Sequence, residues 1–227
     1  AFVTEMLGAE KEKDMAIERL QKAATLDMLS PEIANKGEDV TVEVSITNTG
    51  AGHNIPTGVS EIRQMWLEVK ATDAEGRDVY SAGTTDSGGE IVSANTIYNS
   101  VLGDSEGNPT LSFWLADRVL SDNRIGPKET VAEEHTFSLP EDVVYPVTVD
   151  ATLKYRSAPQ ELIDHLFGED VHEVPVIDMV EKSRIIYDPD TPPESRTQPE
   201  SQSESTPGFT VFATVAALLI IYVFKKQ

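Results

Sequence analysis

One of the four histidines, His53, stands in a turn whose residue types suit metal ligation or proton transfer. The turn reads GHNIPTG from Gly52 to Gly58 and follows an alternating apolar and polar run, VTVEVSITNTG. A neutral imidazole has one nitrogen lone pair and one N–H, so it can bind a metal, move a proton or hydrogen-bond within its own loop. The turn by itself leaves these three roles open.

The rest of the chain offers few further groups for chemistry. His135 lies in an alternating run and is interpreted as a strand residue, while His165 and His172 are weaker ligand candidates in and after a short predicted helix. There is no cysteine, which excludes disulfides, cysteine nucleophiles and a Cys-x-x-Cys-His haem attachment site within these 227 residues. We find no Ser-His-Asp order, phosphate loop or His-x-x-x-His spacing, and we therefore predict that the protein is not an enzyme.

The charge balance limits the class of partner. The chain carries 39 acidic and 18 basic residues, for a formal net charge of -21. Such a surface repels nucleic acids and anionic lipid headgroups, so we predict no nucleic-acid partner. Hydrophobic residues make up 39% of the sequence, which is enough for one substantial folded domain with appendages.

The elements that must position His53 are mainly strands. Residues 1–28 are predicted to form a helix that leads from an upstream region, because apolar residues recur there at helical spacing. Residues 29–187 alternate apolar and polar residues between turn signals, without βαβ units, and predict an antiparallel, immunoglobulin-like β-sandwich. In the run MWLEV we expect Leu67 and Val69 to face between the sheets, and Trp66 to be covered by the first helix or by a haem.

The C-terminal part changes character. Residues 188–206 contain no large apolar residue and are rich in Pro, Ser, Thr and Glu, which predicts a disordered acidic tether. Residues 207–227 contain an unbroken apolar and small-residue run followed by two lysines, which predicts a hydrophobic transmembrane helix. The terminal positive charge favours a folded domain outside the cell.

This C-terminal order of parts resembles the archaeal PGF-CTERM sorting signal. The resemblance rests on Pro207, Gly208 and Phe209, then the hydrophobic span and the short basic tail. It implies recognition by an archaeosortase, removal of the span and attachment of a lipid near the new terminus. We therefore expect an extracellular, cell-surface-anchored protein that lacks the residues beyond about Pro207 when mature.

The histidine turn and the strands around it resemble a C-terminal β-sandwich domain of extracellular multihaem c-type cytochromes. The later segments IGPKET and ATLKYRSAP also resemble that family. The matching residues of the turn and the strand after it are Asn48, Gly50, Gly52, His53, Pro56, Thr57, Gly58, Arg63 and Trp66.

The resemblance implies that His53 is an axial ligand of a haem c whose attachment site lies upstream of this chain. Gly50 and Gly52 would then let the backbone approach the porphyrin, and Asn48 or a backbone carbonyl would fix the imidazole ring. The implied partners are an upstream haem-bearing region or cytochrome subunits. We predict an electron-transfer domain that caps this haem, and the alternative is a structural or adhesive surface sandwich, such as an S-layer-associated protein, without a redox role.

Overall fold

The computed structural model describes residues 7–169 and 171–199 and shows a mainly β protein, as the alternating sequence predicted. Two helices and thirteen strands follow one another along these residues: α1 Glu10–Gln21, β1 Thr25–Leu29, β2 Asp39–Thr47, β3 Gln64–Thr72, β4 Asp78–Ala82, β5 Thr84–Thr85, β6 Ile91–Val92, β7 Ile97–Tyr98, β8 Ser100–Gly103, β9 Pro109–Thr110, β10 Arg118–Asp122, β11 Thr130–Ser138, β12 Val147–Arg156, α2 Gln160–Phe167 and β13 Ile177–Ile186.

Two antiparallel sheets form the sandwich. One has the order β1-β2-β11, and the other has the order β13-β12-β3-β4 with β7 also paired to β3. Strands β8, β9 and β10 form a small separate sheet beside them. Because side chains alternate across a strand, each sheet turns one apolar row inward. The inward rows include Val40, Val42, Val44 and Ile46 on β2, Met65, Leu67, Val69 and Ala71 on β3, and Val147, Val149, Ala151 and Leu153 on β12.

The predicted helix over residues 1–28 is wrong at its C-terminal end. Helix α1 ends at Gln21, and Thr25–Leu29 forms β1, which pairs with β2 along its whole length. Leu26 and Met28 point into the core and are almost fully buried. Their two-residue spacing fits a strand, and pairing with an available edge of the sheet outweighed the helical spacing of the longer pattern.

The tether prediction is wrong for its first residues. Beyond β13, the amide of Gln198 bonds the backbone of Ile185 twice, at 2.9 Å and 2.7 Å. The hydroxyl of Tyr187 donates to the carbonyl oxygen of Thr197 at 2.7 Å. The side-chain amide of Gln198 offers one donor and one acceptor, as the backbone of a neighbouring strand would. These hydrogen bonds hold the polar segment in place without apolar packing. Residues 200–206 and the predicted sorting segment 207–227, with Pro207, Gly208 and Phe209, lie outside the described residues.

In the described part of the chain, neither α1 nor α2 combines the length and the apolar composition needed to span a bilayer.

Trp66 lies, as predicted, on the face of β3 opposite Leu67 and Val69. Its cover is neither helix α1 nor a haem. The indole Nε1 donates to the carbonyl oxygen of Gly83 at 2.8 Å, and the guanidinium carbon of Arg156 lies 5.7 Å from the ring centroid. A loop after β4 and the end of β12 therefore close over this side chain.

A polar cluster interrupts the apolar interior between the sheets. We define it as Tyr80, Tyr98, Glu133 and His135. The hydroxyl of Tyr98 donates to Oε1 of Glu133 at 2.6 Å, and the hydroxyl of Tyr80 lies 3.0 Å from Nδ1 of His135. Oε2 of Glu133 and Nε2 of His135 are both buried, have no hydrogen-bond partner within the described residues and lie 3.7 Å apart. Burial raises the pKa of Glu133 and lowers that of His135.

We expect the Glu133→Gln variant to be about 1–3 kcal/mol more stable than the parent near pH 8. The folded-state pKa of Glu133 is raised, so its contribution to stability is present below the ordinary carboxyl pKa and is lost as the pH rises. The two proteins should therefore differ little near pH 4 and diverge above it. Urea denaturation at a series of pH values measures this difference. A stability difference that shrinks towards pH 8 would contradict the assignment.

Candidate functional site

The turn that carries His53 is held from beneath by a buried asparagine. Asn48 is fully buried, and its side-chain nitrogen donates to the carbonyl oxygens of His53 at 2.9 Å and Ile125 at 3.1 Å. Its side-chain oxygen accepts from the backbone N–H of Ala51 at 3.1 Å. Two of these bonds hold the turn at Ala51 and His53, and the third ties it to the loop that carries Ile125, so the protein itself positions the backbone of the turn.

The segment IGPKET lies directly under this turn. The backbones of Ile55 and Ile125 bond each other in both directions at 2.9 Å, and Nζ of Lys128 donates to the carbonyl oxygen of Thr49 at 2.5 Å. The peptide bond between Ile55 and Pro56 is cis. The sequence separates these two loops by about seventy residues, and pairing of β2 with β11 brings them together.

The two glycines before His53 have different surroundings. A Cβ on Gly50 would lie 1.8 Å from the carbonyl oxygen of Lys22, and the Gly50 N–H donates to Ala23 at 3.0 Å. Gly50 therefore lets the turn dock against the end of α1, and it also lines the groove beside His53. An added Cβ on Gly52 would meet no atom within 4 Å, so this second glycine leaves open space for a close approach by a ligand.

The imidazole of His53 is exposed, and only one of its nitrogens is occupied by the protein. Nδ1 lies 3.0 Å from the backbone carbonyl oxygen of Asn54. A carbonyl can only accept, so Nδ1 carries the hydrogen and the lone pair of the neutral ring is on Nε2. Within the described residues Nε2 has no hydrogen-bond partner. The ring is thus oriented by a backbone carbonyl, one of the two acceptors predicted, while Asn48 acts on the backbone instead.

A groove of about 590 Å³ opens beside this imidazole, between α1 and the sandwich. Its floor and walls are largely apolar, and Arg19 and Lys22 near the C-terminal end of α1 are the cations that line it, with Nζ of Lys22 2.6 Å from Oε1 of Glu18. The side chains that line it from α1 and from strands β3, β12 and β13 include Ala16, Leu20, Ala23, Met65, Tyr155 and Met179. A mostly apolar groove with one open imidazole is suited to a large flat ligand that carries a metal.

The segment ATLKYRSAP contributes to both sides of the second sheet. Tyr155 lines the groove and is half-buried, and burial raises the pKa of its hydroxyl. Arg156 points to the opposite face and stacks on Trp66. Arg63, which follows the turn, donates from Nη1 to the carbonyl oxygen of Ser157 at 2.5 Å. This bond connects the chain leaving the histidine turn to the end of β12.

The other histidines are not at this groove. His135 is buried in the polar cluster between the sheets, as its strand position suggested. His165 is exposed on α2, and His172 packs its ring edge-on against Phe167 with centroids 5.4 Å apart. Across residues 7–169 and 171–199, no group of three or more His, Cys, Asp or Glu side chains has the arrangement of a metal site. His53 is therefore an isolated ligand candidate that needs a metal brought by another group.

Sequence reasoning missed most of the groove. Leu20 and Ala16 belong to a helix predicted only as a connector, and Met179 and Tyr155 are ordinary strand residues in the sequence. The sequence pattern of these residues indicates the groove only weakly. Alternation identifies which face of a strand points inward, but it does not show where two packed elements leave a gap between them.

A solved structure with the same architecture is the penta-haem cytochrome c552 from Thermochromatium tepidum. The two share 21% sequence identity with a TM-score of 0.56, over 75% of this chain and 41% of the cytochrome. At this identity the likeness concerns the fold. This chain spans less than half of the length of the cytochrome it matches.

Two further neighbours are less similar. A CARDB domain of a Pyrococcus furiosus protein, solved in complex with di-metal ions, shares 11% identity over 73% of this chain and 91% of its own, with a TM-score of 0.32. A putative superoxide reductase from Thermotoga maritima shares 16% identity over 74% of this chain and 89% of its own, with a TM-score of 0.29. No protein-family model and no curated protein sequence matches this chain.

The residues at the groove fit a haem c. Nε2 of His53 is open and could ligate its iron. The apolar walls would suit the porphyrin and the cation of Arg19 would suit a propionate, whereas Lys22 already pairs with Glu18. Because the chain has no cysteine, such a haem would have to be attached elsewhere.

Proposed function

We propose that this domain caps a haem c carried by an upstream region or a cytochrome subunit and supplies His53 as an axial ligand to it. The observation that carries the proposal is the open Nε2 of an oriented, exposed imidazole beside an apolar groove. When bound, the haem supplies one-electron chemistry. The chain itself orients the imidazole through the carbonyl oxygen of Asn54, excludes water with apolar walls and places the cation of Arg19 at the groove.

The proposed class of protein is an electron carrier and not an enzyme. Two imidazole ligands fill the coordination of a haem iron and leave no open position for a substrate, which favours electron transfer. The architecture shared with a penta-haem cytochrome supports this reading at the level of fold. The proposed location is extracellular, with the domain anchored at the cell surface through the sorting segment, an archaeosortase and a lipid or membrane helix.

Titration of the full chain with a haem c peptide tests the ligand role. The peptide carries one Cys-x-x-Cys-His motif, and so has one axial histidine and a weakly bound water. At pH 8 we expect the chain to convert the peptide from the high-spin to the low-spin spectrum. His53→Ala should weaken this binding at least tenfold, about 1.4 kcal/mol.

His165→Ala is the matched control, because His165 is exposed but lies on α2, outside the groove. It should bind the peptide as the parent does. Equal binding by the His53→Ala variant and the parent would overturn the proposed function. A chain without any haem affinity would favour the structural or adhesive surface role.

A further inference from the structure

The polar cluster lies directly behind one wall of the groove. Met65 lines the groove and is paired in register with Tyr98 on β7, so the two side chains are neighbours on the same face of the sheet. The hydroxyl of Tyr98 in turn donates to Oε1 of Glu133 at 2.6 Å. Two packed side chains therefore separate the groove from the buried carboxyl of Glu133.

The same cluster connects that carboxyl to the surface. His135 lies two residues along β11, with Nε2 3.7 Å from Oε2 of Glu133, and its Nδ1 is 3.0 Å from the hydroxyl of Tyr80. Tyr80 on β4 is only partly buried. The two nitrogens of His135 thus lie between Oε2 and the hydroxyl of the partly buried Tyr80, with one step of 3.7 Å that no hydrogen bond bridges.

The surroundings of Glu133 contain no fixed countercharge. The titratable groups that face it are Tyr98 from β7, His135 from its own strand and Tyr80 behind that histidine. The remaining inward residues of β2 and β3 nearby are apolar: Val42, Val44, Met65 and Leu67. An ionised carboxylate here is neither paired nor fully hydrogen-bonded, so its charge acts through a poorly screened interior.

From this placement we infer that Glu133 is a redox-linked proton-binding residue for the haem held at His53, an inference that rests on the proposed function. Reduction of a bound haem by an external one-electron donor would remove one positive charge there. Oε2 of Glu133 would then take up one proton from solvent, past Tyr80 and His135. The pair of events adds one electron and one proton and leaves the local net charge unchanged.

This residue differs from the many surface carboxylates of a chain with net charge -21. At physiological ionic strength, exposed charges are screened over about 8 Å, whereas a buried charge is screened much less. A buried carboxylate stabilises the oxidised, more positive state, so its deprotonation lowers the midpoint potential. Burial raises the pKa of Glu133, which moves this titration to higher pH than that of an exposed carboxyl.

The test measures the midpoint potential of the complex between the full chain and the haem c peptide at a series of pH values from 5 to 9. For the parent we expect the potential to fall as the pH rises through the titration of Glu133. Glu133→Gln should remove this slope and retain the low-spin spectrum. Glu134→Gln is the matched control, because Glu134 is adjacent to Glu133 in sequence but is exposed on the other face of β11. This variant should retain the slope of potential against pH.

An infrared measurement on the chain without peptide tests the proton separately. The difference spectrum between parent and Glu133→Gln, followed over a series of pH values from 4 to 9, should contain the C=O stretch of a protonated carboxyl that disappears as the pH rises. A missing band, or a slope that persists in a low-spin Glu133→Gln complex, would overturn the inference and leave the His53 ligation intact. A parent that forms no low-spin complex would overturn both, and this result is recognised from the spectrum alone.

Discussion

The Gly50→Ala variant is expected to be about 1–3 kcal/mol less stable than the parent, because the added methyl group collides with backbone atoms. An ideal Cβ at this position lies 1.8 Å from the carbonyl oxygen of Lys22 and 2.9 Å from its carbonyl carbon. Neither atom is the mobile end of a side chain, so α1 or the histidine turn must move. The displacement should also break the hydrogen bond from Gly50 to Ala23.

Gly52→Ala provides a matched control two residues away in the same turn. Its added methyl group would meet no atom within 4 Å, so its stability should stay within about 0.5 kcal/mol of the parent. Urea denaturation followed by circular dichroism compares the three proteins. Equal unfolding midpoints for the two variants would show that α1 does not dock on Gly50 as described.

The Gly50→Ala and Gly52→Ala variants also test the shape of the groove separately from the ligand role of His53. Gly50→Ala keeps His53 but displaces the α1 wall, so it should weaken binding of the haem c peptide. Gly52→Ala adds a methyl group on the open side of the turn, and a loss of peptide affinity without a loss of stability would place the porphyrin against Gly52. Both results bear on the geometry of the groove and are independent of the identity of the axial ligand.

Trp66→Ala is expected to cost about 3–5 kcal/mol of stability, the largest effect among these substitutions. Trp66 is fully buried, and its removal leaves a cavity, an unpaired carbonyl at Gly83 and an unstacked guanidinium at Arg156. Nη2 of Arg156 is already without a partner in the described residues. The variant therefore leaves a buried guanidinium that keeps its hydrogen bonds to Gln64 and to the carbonyl oxygen of Gly89 but loses the ring that covers it.

Trp114→Ala is the control, because Trp114 is 70% exposed in the short 3-10 helix Phe113–Leu115. Its stability should lie within about 0.5 kcal/mol of the parent. The chain has two tryptophans, so the emission of the Trp114→Ala protein reports Trp66 alone and should be blue-shifted. Comparable losses of stability for the two variants would contradict the burial assigned to Trp66.

The polar cluster lowers the folding stability of the sandwich, which is consistent with a role of its residues beyond folding. A sandwich of this kind is most stable with an apolar interior, yet Glu133 and His135 each present an unpaired buried atom there. Proteins retain such groups against stability at sites with a role beyond folding. The expected gain in stability of Glu133→Gln and the expected loss of redox-linked proton binding are two consequences of the same burial.

The sequence by itself determined the architecture and the best ligand candidate. Strict alternation along β2 and β12 predicted strands with one inward face, because only that face loses contact with water. The same alternation placed Leu67 and Val69 opposite Trp66. The composition of the histidine turn, with glycines and proline around one imidazole, identified His53 before its surroundings were known.

Tertiary contacts decided the roles of the neighbouring residues. Met28 became a strand residue because an unpaired edge of β2 was available to it, and Gly50 serves the docking of α1 because Lys22 lies against it. Glu133 and His135 share an inward face by spacing, but only the opposite sheet brings Tyr98 and Tyr80 to them. Local patterns report the preferences of one segment, whereas gaps, collisions and partners depend on which distant segments pack against it.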